Sequence, residues 1–300
     1  METRFPESTE ADKLERLRRI KSEIDTINNF LFQTEIIITR LFKFSDYIKA
    51  LNLNAKRRFL LKHQDNSYLM LDDCKRYIRI FNDADMEKGG RIYAPFQQFS
   101  KKTRQHFLMN NEPVELVDIS SSHVRMLYHI LDLDFHGDAY GIIFDKNIHS
   151  VHGIKTIRKI NKKILQTLLN SKTEKSAIRS AFRSIKTTLK KEIRRDVADR
   201  FDTHEYARQW INRFKQKHDP IKEYFHSGYG ITLQYIESEI IIQSILKLID
   251  MNIPALSLHD ELVVPHSQRN IAKNTLKQEY KKYSQFNGHD LIVEFESEDD

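Results

Sequence analysis

PVELVDISSSHVRMLYHILD, residues 113–132, is the stretch on which the fold turns. Its first half, ending at Ile119, carries the β-branched and alternating residues of a strand. Its second half opens on serines suited to a helix N-cap. It then sets Val124, Leu127, Tyr128 and Ile130-Leu131 on one buried helical face. Asp118 therefore stands where a strand feeds a helix. A carboxylate at that junction serves catalysis or caps the helix, and this stretch alone leaves both open.

A second stretch, SLHDELVVP at 257–265, complements the first. Apolar Ala255-Leu256 and Leu262-Val263-Val264 flank a polar His-Asp-Glu triplet, which reads as two strands joined by a tight turn and ended by Pro265. A hairpin tip presenting acids can hold a metal, and it can equally be a solvated turn.

Around these stretches the pattern is mostly helical. Residues 8–52 read as helices, opened by Thr9 as a cap, with Leu14, Leu17, Ile20 and Ile24 at helical spacing. Residues 61–81 read as a short strand or loop followed by a helix. Gly89-Gly90 breaks the pattern before a strand at 91–96, and 100–109 reads as a basic helical turn. Residues 154–170 and 173–197 read as basic helices. In the second, Ile178, Phe182, Ile185, Leu189 and Ile193 form an apolar stripe beside a basic one that includes Arg179 and Arg183. Residues 204–225 form an amphipathic helix interrupted near Pro220. Residues 232–251 form a long buried helix leading into the hairpin, and 291–295 a last strand before an acidic tail.

Composition narrows the function. The net charge is +7, yet residues 151–195 carry 14 Lys/Arg against two acids, so that segment is +12 and the remainder −5. One basic region on a near-neutral body is the footprint of a polyanion partner, since a merely solvated face usually mixes signs. A single cysteine, Cys74, excludes an internal disulfide, and no Cys/His zinc cluster is apparent. The polar N-terminus lacks a signal-peptide pattern, and no apolar run is long enough to span a bilayer. A cytoplasmic protein without a membrane partner is the expectation.

Two aspartates at strand ends, with a basic helical insertion between them, suit phosphoryl transfer. Such a pair can hold two divalent ions about 4 Å apart, one activating a hydroxyl and the other stabilising pyrophosphate. Lys and Arg neutralise the triphosphate. Mg²⁺ keeps several waters, so two carboxylates suffice as protein ligands.

These residues resemble the palm and fingers of family A (Klenow-type) DNA polymerases and their single-subunit RNA polymerase relatives. The resemblance covers about residues 89–295. VDISSSHVRML is similar to the family's first catalytic block, a strand ending in Asp followed by S-x-x-E-x-R. It implies Asp118 as a metal ligand, a backbone carbonyl from Ile119, and Arg125 on the family's Arg. SLHDELVV resembles the third block. It implies Asp260 as the second metal ligand, Glu261 as an accessory acid and His259 as a primer-side contact. GRIYAPFQQFSKKTRQHF, 90–107, is similar to the family's G-R stretch and implies nucleic-acid contacts at Arg91 and Arg104. Arg158 and Lys162 match the spacing of the fingers-helix Arg and Lys, which bind the nucleotide. The sequence departs from that block further on, with Gln166 and Asn170 and no Tyr-Gly. His123 stands where the family has the Glu that helps exclude a ribose 2′-hydroxyl. Gln234 and Glu237-Ser238 occupy the region of template and primer contact.

The resemblance implies an α+β right-hand polymerase with an antiparallel palm sheet. Its expected parts are a helical thumb-like region at 1–85, palm at 86–135 and 232–300, and basic helical fingers at 136–231. Arg179 and Arg183 would face nucleic acid. The implied function is a nucleotidyltransferase, a template-directed DNA polymerase extending a 3′ end with two Mg²⁺ ions, or Mn²⁺ in their place. Its partners would be DNA or RNA template and primer, nucleoside triphosphates and a processivity factor. No exonuclease-like blocks precede residue 89, so low fidelity and processivity are expected. An idle polymerase-like nucleic-acid-binding protein is the alternative. An HD-type phosphohydrolase reading of His259-Asp260 fits poorly, since that class sets its dyad on a helix.

Overall fold

The structure is a computed structural model that describes residues 9–38, 69–72, 74–141, 146–192, 204–286 and 288–295. The expected helix at 39–52, the end of the second basic helix beyond residue 192 and the acidic tail lie outside the described residues. The chain divides into two compact units. One comprises Met1–Ser120, Ile236–Lys282 and Asp290–Asp300, and the other Ser121–Tyr235 and Tyr283–His289. The fold class is mixed α+β with an antiparallel sheet. No helix among the described residues is long and apolar enough to cross a membrane.

The first unit opens with α1 (Glu10–Gln33), whose cap is as expected. Thr9 Oγ1 accepts from the Asp12 amide at 3.1 Å, and the Asp12 carboxylate accepts from the Thr9 amide at 2.8 Å. These bonds satisfy donors a helix start leaves unpaired, and the Thr9 hydroxyl, which donates to the Asp12 carboxylate at 2.7 Å, together with the Thr9 amide holds Asp12 below the usual carboxylate range. α1 buries Ile20, Ile24, Ile27 and Leu31 at helical spacing.

Among the described residues seven strands form the sheet, in the order β2-β1-β5-β6-β8-β7, with β9 also on β6. They are β1 (Ile36–Ile38), β2 (Leu69–Met70), β5 (Phe107–Met109), β6 (Glu112–Ile119), β7 (Leu256–Leu258), β8 (Glu261–Pro265) and β9 (Val293–Phe295). A separate hairpin joins β3 (Ile78–Asn82) to β4 (Asp85–Tyr93). Buried α6 (Gly230–Asp250) belongs to this unit from Ile236 onward, and α7 (Arg269–Lys281) packs on β6, β8 and β9.

Three expectations change here. The expected helical run over 8–52 gives way at Ile36-Ile37-Ile38, a β-branched stretch that pairs with both β2 and β5. The expected helix ending at residue 81 is instead β3, where Ile78 and Ile80 alternate with Arg79 and Phe81. Gly89-Gly90 does not break the chain but runs inside β4 at a register shift. Gly89 has φ +75, and a Cβ there would sit 2.0 Å from Asn82 Oδ1, so glycine is required.

Tyr77 ties the first unit together. Its backbone exchanges bonds with the Asn28 amide side chain of α1, at 2.7 and 3.0 Å. Its hydroxyl donates to the Ser257 carbonyl at 3.0 Å and accepts from the Ser257 amide at 2.6 Å. Gln97 Nε2 donates to the same carbonyl at 2.8 Å. Burial raises the Tyr77 pKa, so the phenol stays protonated.

The second unit is helical: α2 (Ser122–Ile130), α3 (Lys146–Asn170), α4 (Glu174–Glu192) and α5 (His204–Lys217), followed by a 3₁₀ turn Asp219–Tyr224 at Pro220. Ile160, Ile164, Leu168, Ala181, Ile185, Trp210 and Phe214 are fully buried in it. The expected stripe of α4 holds at Ile178 and Ile185, while Phe182 is half-buried and stacks on His204 at 4.3 Å.

Candidate active site

β6 and the β7–β8 hairpin position the acids. In β6 the run Val114 to Asp118 pairs antiparallel with β8, and Asp118 lies opposite Glu261 on that side and opposite Glu294 of β9 on the other. The helix cap is Ser121, not Asp118, so the capping role open in the sequence falls to another residue. Ser121 takes φ 52 and makes no side-chain cap bond, contrary to the expectation for these serines. Ile119, buried at the strand end, pairs with Val293 of β9.

The hairpin connection is two residues, His259-Asp260, between Leu258 and its partner Glu261. His259 takes φ 62, the left-handed conformation such short connections need at their first position. Left-handed non-glycine residues thus stand close to both aspartates, a costly arrangement that concentrates at functional sites.

Asp118, Asp260 and Glu261 each offer a carboxylate oxygen, and these oxygens all lie within 4.8 Å of one another. The three side chains are half-buried. Like charges this close repel, and a divalent cation relieves the repulsion. An all-oxygen carboxylate set suits Mg²⁺ or Mn²⁺, not softer ions. The expected ligands are therefore brought together.

Arg91 on β4 ion-pairs with buried Glu237 of α6. Burial alone would lower its pKa, but Glu237 and, further away, Asp260 outweigh that and leave it raised. Arg104, on the helical turn Lys101–Arg104, donates to the Phe99 carbonyl. His259 is exposed and packs edge-on against Tyr93 at 6.1 Å. Reduced hydration and the Arg91 cation hold its pKa below the ordinary value. Beside it opens a cleft of about 520 Å³ lined by Arg76, Ile78, Tyr93, Pro95 and Gln97.

The other expected residues belong to the second unit. His123 is half-buried in the first turn of α2, and Gln234 is half-buried in α6. Arg125 points at the Phe135 carbonyl and over that ring at 5.8 Å. Arg158 and Lys162 are exposed one turn apart on α3. Arg158 ion-pairs with Asp138 and lies over Tyr140 at 5.1 Å. Burial would raise the Asp138 pKa, yet the Tyr140 amide and Arg158 lower it. Arg179 and Arg183 are exposed on α4.

Sequence reading missed Asp138 and Tyr140 as partners of Arg158, and Glu237 as the partner of Arg91. Each pairs across a long separation, and only the run of Tyr140 and Asp138 before a basic helix gives a local signal. No family model and no curated protein matches the chain.

Proposed function

We propose that the protein is a nucleotidyltransferase, a template-directed DNA polymerase that extends a 3′ end in the manner of family A enzymes. The observation that carries this reading is the convergence within 4.8 Å of the oxygens of Asp118 and Glu261, on neighbouring strands, and of Asp260, in the hairpin turn. Asp118 and Asp260 would hold two Mg²⁺ ions, with Glu261 and the Ile119 carbonyl as accessory ligands. When bound, such ions lower the pKa of an attacking hydroxyl and stabilise departing pyrophosphate.

The chain's own residues do the rest. Arg158 and Lys162 present two cations on one helical face, suited to a triphosphate. Arg91, committed to Glu237, sets positive charge near Asp260. Arg104 is the second arginine of the proposed nucleic-acid path. His259 and Tyr93 border a cleft of a size that admits a nucleobase or sugar at the primer end. Gln234 contacts template or primer. Arg179 and Arg183 supply exposed charge for a nucleic-acid backbone, whose release of counterions makes binding salt-sensitive. His123 replaces the carboxylate that would screen the ribose, so both dNTPs and rNTPs are substrates to test.

One observation favours the idle-relative reading. Both Arg91 and Arg158 are ion-paired with acids of this chain. The test is incorporation of each labelled dNTP and rNTP with Mg²⁺ or Mn²⁺, on primed template, single strand and no nucleic acid, beside Asp118→Ala. Extension that disappears in the variant supports the polymerase. Tight, salt-dependent binding without incorporation supports the idle relative.

A further inference from the structure

The second unit holds another cluster of metal-ligating groups, which the proposed polymerase chemistry does not use. His129 ends α2, Asp134 follows in the next loop, and His289 returns from the far end of the chain. One ligand atom from each lies within 4.8 Å of the others. His289 Nδ1 is 2.9 Å from Asp134 Oδ1, and its Nε2 is 3.1 Å from Asp132 Oδ1. The His129 and His289 rings stack at 4.8 Å with only 14° between their planes.

The cluster is held by its backbone. The amides of Leu131 and Leu133 both donate to the Tyr128 carbonyl, at 3.0 and 2.9 Å. The Asp132 amide donates to the His129 carbonyl at 3.0 Å, with Asp132 at φ 58. The His289 amide donates to Phe286 at 2.8 Å, and the Phe286 ring packs edge-on against His129. His129 is 2% exposed, so its lone pair is shielded from bulk water.

We propose that His129, Asp134 and His289 form a zinc-type transition-metal site, with Asp132 orienting His289 through its second ring nitrogen. Two imidazoles and one carboxylate are the borderline donor set that Zn²⁺ favours over Mg²⁺ or Ca²⁺. Ligands of a tetrahedral zinc stand roughly 3.4 Å apart, close to the 2.9 Å of His289 and Asp134 already present. A carboxylate on the outer nitrogen of a ligating histidine fixes its tautomer and orientation. Three protein ligands leave a fourth position for water or a partner's side chain. Bound metal would pin the segment Tyr283–His289 to the end of α2 within this unit. An ordinary ion pair between a charged His289 and the two aspartates is the competing account, and it predicts no metal affinity.

The test is titration of chelator-treated full-length protein with Zn²⁺ and Co²⁺ in excess Mg²⁺, in an Asp118→Ala background that removes the carboxylate site as a competitor. The expected result is one equivalent of Zn²⁺, a rise in Tm and tetrahedral Co²⁺ absorption bands. His289→Asn and Asp134→Asn should abolish these signals, and Asp132→Asn should weaken binding about 10–100-fold. His289 and Asp134 are at the surface edge of the cluster, so these variants should fold, as circular dichroism will verify. No binding, or binding unchanged in the His289 and Asp134 variants, overturns the proposal.

Discussion

In the first unit three carboxylates gather at neighbouring strand ends and their hairpin turn, whereas in the second two imidazoles and a carboxylate gather around a helix end. The first set is half-buried and hard, suited to an ion that keeps its waters and meets phosphates. The second is anchored by a buried histidine and softer, suited to an ion that stays and braces the chain. Sheet register fixes the spacing in one, and helix-end turns fix it in the other. The difference teaches that ligand chemistry follows the scaffold. Adjacent strands bring together acids from distant sequence positions, while a helix end supplies a local His-x-x-Asp-x-Asp run that one distant histidine completes.

The comparison is most sharply broken by substitution at the strand acids. Asp118→Ala and Asp260→Ala should each lower nucleotide incorporation about a thousandfold or more, near 4 kcal/mol of barrier. Thermal stability and Zn²⁺ binding should stay unchanged, since neither acid lies in the histidine cluster. Incorporation surviving in both variants would end the polymerase reading.

Stability gives the next largest effect. Tyr77→Phe removes a donor and an acceptor for Ser257 and leaves a buried amide without its partner. The expected cost is about 2 kcal/mol, read as a lower urea midpoint.

Acid should then act on the second unit. His218 is fully buried, with Nε2 donating to the Ala139 carbonyl at 3.0 Å and Nδ1 facing the Tyr128 hydroxyl at 3.3 Å. Burial holds its folded pKa below the ordinary value of about 6.5. Below that value the unfolded chain binds more protons than the folded one. Stability is thus complete above about pH 6.5 and is lost as pH falls through the folded pKa. Tm measured from pH 7 to pH 5 should drop less in His218→Gln than in the wild type. Equal slopes would place the acid sensitivity elsewhere.

The smallest effect concerns the hairpin turn. His259→Gly should stabilise the protein by roughly 1 kcal/mol or less, because glycine accepts φ 62 without strain. The same change should weaken primer binding by removing the ring beside Tyr93. A variant that gained stability and kept full primer affinity would reduce His259 to a turn residue.

Much of this was legible in the sequence. The strand to Asp118, the following helix and the β7–β8 hairpin all showed, because β-branched runs and polar breaks mark such elements locally. The carboxylate triad followed from two short motifs. The β1–β3 strands were harder to read, since Ile36 to Ile38 and Ile78 to Phe81 acquire their pairing only from partners elsewhere in the chain. The ion pairs of Arg91 and Arg158 were hidden for the same reason. His129 looked like an ordinary residue of a buried helical face, and His289 stands alone near the C-terminus. No spacing rule joins them, so the absence of a Cys/His pattern said little about this cluster.

The pairing of Ser257 bears on how the protein behaves when concentrated. Among the described residues β7 ends the sheet, and an open edge strand is a template on which other chains can stack. Here the outward amide and carbonyl of Ser257 are already taken by Tyr77 and Gln97. A foreign strand arriving beside the acids would find no free backbone group at that residue. The phenol and the carboxamide serve there as a guard against edge-to-edge aggregation.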